Sequence, residues 1–116
     1  MGENVIYKLS KSFALRMRKL YICLTNERQE YVISKQLYRS GTSIGANIAE
    51  SIYAQSDADY ISKLRISLKE ASESRYWLEL LFESELIKAQ EYDSLMNDLN
   101  TIIGTIVNII NKIDKK

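Results

Sequence analysis

Proline and histidine are both absent from the 116 residues, cysteine occurs once and glycine four times. Without proline nothing in the chain forces a helix to kink or stop, so its turns are built from other residues. The lack of histidine removes the commonest general acid–base group and the commonest metal ligand, and a single cysteine forms no internal disulfide. Most hydrolytic and zinc chemistries lose their usual groups, as do di-metal bundles built on Glu-x-x-His pairs. No apolar run approaches the roughly 18 residues of a membrane span. The opening MGENVIYKLSKSFALRMRKL has no basic segment followed by an apolar block, so a cytoplasmic protein without a membrane role is expected.

Charge of one sign is not in excess either, for the formal net charge is +1. That balance hides an asymmetry. Residues 1–69 carry eleven Lys/Arg against six Asp/Glu, and residues 70–116 carry five against nine. The two halves are suited to attract each other within or between subunits, and the basic half to meet an anion.

What the chain has is helical periodicity, in a composition that is 46% hydrophobic and long enough for one domain over residues 1–116. Val5, Leu9, Phe13, Leu20 and Leu24 recur at helical spacing, predicting a helix over about residues 4–26. Ile33, Leu37, Ile44, Ile48 and Ile52 mark a second. Ser56 and Asp57 are N-cap candidates for a third, carried by Ile61, Leu64, Leu68, Ala71, Leu78 and Phe82. Leu95, Leu99, Ile102, Ile106, Ile109 and Ile113 define a fourth over about residues 90–114. Four helices with short links predict an all-α fold, an antiparallel up-down-up-down four-helix bundle.

The third helix has more apolar surface than a lone bundle needs. Ile66, Trp77 and Leu80 project nearly opposite its core stripe, either lying along their own surface or anchoring a subunit interface. Arg75 falls within the stripe and needs a partner; Glu79 one turn on, or Glu50 of the second helix, is available. In YRSGTSIGANIAES the spacing Gly41-xxx-Gly45-xxx-Ala49 places small residues on successive turns, which suits a close helix crossing better than a ligand loop. Arg39, Ser43, Ala46 and Glu50 point away from that core, with Ser40 and Asn47 at its border. The candidate subunit interface therefore comprises Arg39, Ser43, Asn47, Glu50, Ile66, Glu70, Glu73, Trp77 and Leu80.

The run Gln36, Leu37, Arg39, Ser43, Ile44, Asn47, Ile48, Ala49, Glu50, followed by KEASESRYWLELL, resembles the bacterial four helix bundle protein family, also called the 23S ribosomal RNA intervening-sequence protein family. This chain carries Ser51 where most members have glycine. The resemblance implies an antiparallel bundle that is a subunit of a ring-like oligomer, a homopentamer around a central channel. It also implies kinship with accessory proteins of diversity-generating retroelements, which bind a reverse transcriptase and nucleic acid and are strongly basic.

On the first helix Lys8, Lys11, Arg18 and Lys19 form a basic sector that suits RNA or DNA phosphates, with Tyr7 and Tyr21 as stacking platforms, or the acidic third helix of a neighbour. Cys23 projects among leucines and reads as an inert thiol. No catalytic, metal or cofactor site is expected. The sequence points to a non-enzymatic oligomeric scaffold or adaptor, with a nucleic-acid-binding accessory protein as the alternative.

Overall fold

The computed structural model describes residues 2–114, with side chains from Val5 onward. Four helices, α1 (Gly2–Glu27), α2 (Ile33–Ser51), α3 (Asp57–Glu83) and α4 (Ala89–Asp114), are joined by short links, and no strand occurs among the described residues. α2 and α4 each pack closely against both α1 and α3, while the pairs α1/α3 and α2/α4 stand diagonally across the core. The chain is thus an all-α bundle with the helices in chain order around its axis, measuring 48 × 21 × 19 Å.

The buried positions repeat every seven residues. In α1 they are Ile6, Ser10, Phe13, Met17, Leu20 and Leu24; in α3 they are Leu64, Ser67, Ala71, Ser74, Leu78 and Leu81. Alternating steps of three and four keep one seam of each helix turned inward. This corrects the expected stripes at their ends. Val5 is 51% exposed and Ile6 takes its place in the core; Ile52 is 49% exposed and Ser51 is buried instead. Ser40, expected at the border, is fully buried. Six serines, at 10, 34, 40, 51, 67 and 74, occupy core positions, and counting aliphatic residues alone overlooks such positions.

Each buried serine hydroxyl reaches a main-chain carbonyl, so none carries the cost of an unmade hydrogen bond. Five of them bond only within their own helix or its leading turn, or to another serine. The exception is Ser67, whose Oγ donates across to the Ile44 carbonyl at 2.9 Å.

The links are held by side chains rather than by glycine or proline. The Glu30 carboxylate accepts from the amides of Val32, Ile33 and Ser34 at 3.1, 2.9 and 2.7 Å, satisfying the open donors at the start of α2. Burial by itself would raise the Glu30 acid, but these amides together outweigh it and hold the carboxyl below its ordinary range. Ser56 caps α3 as expected, accepting from the Asp59 amide at 3.1 Å. Past the ends of α1 and α3, Gln29 and Glu85 adopt left-handed backbone with φ of 50° and 62°. The Leu86 amide then closes onto the Leu81 carbonyl in a six-to-one helix closure, and the Glu30 amide closes one residue wider onto the Leu24 carbonyl. Arg28 joins the two turns, donating to the carbonyls of Glu85 and Leu86, both at 3.3 Å.

Candidate subunit interface

The α2/α3 pair is built on small side chains. Ser67 meets Ile44, and the Ser40 and Ser74 hydroxyls lie 2.9 Å apart, so the contact descends α2 as it climbs α3. Ser74 donates onward to the Glu70 carbonyl at 2.9 Å, which leaves its oxygen free to accept from Ser40. On the other flank of α2, a Cβ added at Gly41 would fall 2.5 Å from Cγ of Met17, and one at Gly45 would fall 3.4 Å from the Ser10 carbonyl oxygen. Gly41 therefore makes room for the Met17 side chain, and it is at Gly45 that the main chain of the next helix comes near, as a close helix crossing requires. Gly104 is different, for nothing lies within 4 Å of the corresponding point.

Outside this seam lie the nine interface candidates, all on the adjacent helices α2 and α3. Glu50 pairs with Lys63 at 3.2 Å, tying the two helices together on their solvent side. Asn47 donates from Nδ2 to the Ser43 carbonyl at 2.9 Å, within its own helix. Arg39 is exposed. Glu73 accepts from the Trp77 indole at 3.0 Å, orienting a ring that Tyr76 meets edge-on, with centroids 5.0 Å apart. Ile66 and Tyr76 are exposed, while Trp77, Leu80 and Glu70 are half-buried. An aromatic and aliphatic patch with an acidic border thus runs along the outer side of α3.

Arg75 pairs with neither Glu79 nor Glu50. It reaches to α4, where its guanidinium donates to Asn100 Oδ1, while its Nε is buried with no hydrogen-bond partner. Beside it Phe82 and Tyr92 stack at 4.4 Å, and burial, followed by the charges of Glu79, Glu83 and Asp93, pushes the Tyr92 phenol up. Burial likewise raises the Cys23 thiol, reinforced by Glu27, which disfavours the reactive thiolate.

On α1 the four basic candidates Lys8, Lys11, Arg18 and Lys19 are all exposed, and none enters an ion pair among the described residues. Arg16, which follows the core stripe, is bound to Asp98 of α4 at 2.6 Å. The two tyrosines expected to serve as stacking platforms are engaged within the chain. Lys11 sits 5.6 Å over the Tyr7 ring, and Tyr21 stacks on Tyr38 at 4.9 Å. Sequence reading missed Leu15 and Ile22, 59% and 41% exposed, at the centre of this basic sector. Their seven-residue spacing among lysines was the available signal.

The family model for the 23S rRNA-intervening sequence protein matches residues 2–108. The chain belongs to that family. A crystal structure of a protein of unknown function of the S23 ribosomal protein family, from Bacteroides thetaiotaomicron VPI-5482, is 51% identical, with a TM-score of 0.94 over 96% of this chain and 99% of that one. No curated protein matches. In this member of the 23S rRNA-intervening sequence protein family, Ser51 is buried and donates to the Ile48 carbonyl of its own helix at 2.6 Å. A shallow cavity of about 630 Å³ lies at the same end of the bundle, between the α2–α3 link and Ile109, Lys112 and Ile113 of α4. Two amides at the entrance to α3, those of Asp59 and Gln55, are already bonded to Ser56 and Asp59. No helix among the described residues is long and apolar enough to cross a membrane.

Proposed function

We propose that the chain is a non-enzymatic, cytoplasmic scaffold or adaptor that works as a self-assembled oligomer, with the outer face of α2 and α3 as its subunit contact. One observation carries this reading: Ile66 and Tyr76 are exposed on the outer side of α3, where Leu80 and Trp77 are half-buried, Trp77 packing in part against the bundle's own core and meeting Tyr76 edge-on. Tryptophan at the centre of such a patch is the usual anchor of a protein contact. An antiparallel up-down-up-down course is supported by paired contacts that run in opposite chain directions, and a five-membered ring is the form that the family resemblance suggests. The raised Cys23 thiol and the lack of histidine favour a role without catalysis.

Sedimentation velocity of the purified protein at micromolar concentration tests the reading. A single species heavier than the monomer is expected, with Trp77→Ala shifting it toward the monomer. A wild-type monomer at that concentration overturns it.

Lys8, Lys11, Arg18 and Lys19, exposed and in no ion pair among the described residues, support a second reading, an accessory protein that presents RNA or DNA to a partner enzyme such as a reverse transcriptase. It requires binding at about 50 mM salt that weakens steeply as salt rises. No change in anisotropy of a labelled RNA or DNA oligonucleotide at that salt removes it.

A further inference from the structure

α1 and α3 each pack on both α2 and α4 and make no close main-chain approach to one another, so the two helices stand at opposite corners of the bundle. Their outer faces therefore look in opposite directions. They also differ in kind. The α1 face sets Leu15 and Ile22 among exposed Lys8, Lys11, Arg18 and Lys19. The α3 face sets Trp77, Leu80 and Tyr76 among Glu70, Glu73 and Glu83. Of the basic residues of α3, Lys63 and Arg65 lie before this stretch and are already paired with Glu50 and Asp114, and Arg75 within it is turned to Asn100 of α4. Lys69 is exposed at the boundary.

We infer that the basic, aliphatic face of α1 seats on the acidic, aromatic face of α3 in a second copy of the chain. The inference rests on the proposed self-association and names its contact. Pairing like with like is opposed by charge, since α1 against α1 sets lysines against lysines, and α3 against α3 sets carboxylates against carboxylates. A two-fold dimer through either face is thereby disfavoured. The unlike pairing leaves one unused face of each kind on the complex, and so continues head to tail until rotation closes a ring. The dimensions agree. At ~1.5 Å per residue the basic stretch from Lys8 to Lys19 spans ~16 Å and the acidic stretch from Glu70 to Glu83 ~20 Å. Leu15 and Ile22 would cover Trp77 and Leu80, and the charges at the border would steer and register the encounter.

A nucleic acid fits the α1 face less well. Its centre is aliphatic, and the nearby aromatic rings, Tyr7 and Tyr21, are each already engaged on one face, by Lys11 and Tyr38, which leaves less aromatic surface for bases to stack on.

Charge exchange tests the pairing. The variant Lys8→Glu/Lys11→Glu/Lys19→Glu and the variant Glu70→Lys/Glu73→Lys/Glu83→Lys are each expected to sediment as monomers with helical circular dichroism retained. The six changes combined in one chain restore complementarity and are expected to regain the wild-type mass. If the wild type is itself a monomer, the self-association reading falls. If the wild type associates and either three-residue variant keeps its mass, or the six-residue variant stays dissociated, the assembly stands but this contact is wrong. Loss of RNA or DNA binding in the lysine variant with mass unchanged also overturns the pairing and assigns the face to nucleic acid.

Discussion

Along α2 and α3 the buried positions mix leucine and isoleucine with serine, glycine and alanine, whereas every buried position of α4 is leucine or isoleucine. The consequence is visible in the spacing of the helices. More of the α2 main chain comes within 8 Å of α3 and of α1 than α4 brings within that range of either of its neighbours. Small side chains let backbones approach until a hydroxyl such as that of Ser67 can reach the carbonyl of the next helix. Large ones hold the backbones apart and fill the gap with apolar volume. The first arrangement fixes register through hydrogen bonds and shape; the second supplies most of its stability by burial.

The comparison predicts opposite sensitivities. On the α4 side, removing volume is the damaging change. Leu99→Ala, at a fully buried position, is expected to cost about 2–5 kcal/mol in urea unfolding, because the surrounding side chains collapse only in part. A cost well under 1 kcal/mol would mean that the α4 side repacks freely and that the contrast fails. On the seam, adding volume is the damaging change. Gly41→Ala places a methyl group within 2.5 Å of buried Met17, and about 1–3 kcal/mol of overpacking is expected to exceed the gain from alanine's better helix propensity. Combining it with Met17→Ala should recover part of the loss, since the new methyl then enters vacated space. A double-mutant cycle reads that coupling directly, and additivity of the two costs would show that Met17 is not what Gly41 accommodates.

The two sides also differed in how readable they were. The isoleucine-rich α4 was legible from spacing as far as Ile106, because each buried side chain there is aliphatic, but beyond it spacing chose Ile109 and Ile113, which are half-buried, where Ile110 holds the inward register. The seam was legible only through its glycines. Ser10, Ser67 and Ser74 read as polar until the fold shows them bonded to carbonyls, and hydrogen bonding to a carbonyl is a tertiary or local backbone event with no signature in the residue type. Val5 and Ile52 failed for a related reason. Hydrophobicity alone cannot choose between adjacent positions at a helix end, where Ile6 and Ser51 hold the inward register. The Arg75 partner was missed because Asn100 is distant in sequence and uncharged. On α3 spacing placed Ile66, Trp77 and Leu80 opposite the core, whereas only Ile66 is exposed and Trp77 packs partly against the core, and Leu15 and Ile22 were hidden among the lysines that surround them.

A glycine on each side supplies the finest form of the comparison, because the same substitution should change sign. Gly104 lies in the exposed middle of α4 with nothing within 4 Å of where a Cβ would stand, so it gives the helix only extra freedom in the unfolded chain. Gly104→Ala is therefore expected to stabilise the protein by about 0.5–1 kcal/mol, where Gly41→Ala destabilises it. Thermal melts at one fixed protein concentration measure both, since an associating chain melts higher as it is concentrated. A lower melting temperature for Gly104→Ala, accompanied by a lower sedimenting mass, would show that the open side of Gly104 is covered by another subunit. In that case α4 would have its own close approach, made between chains rather than within one, and the two sides of the bundle would differ in which partner their glycines accommodate.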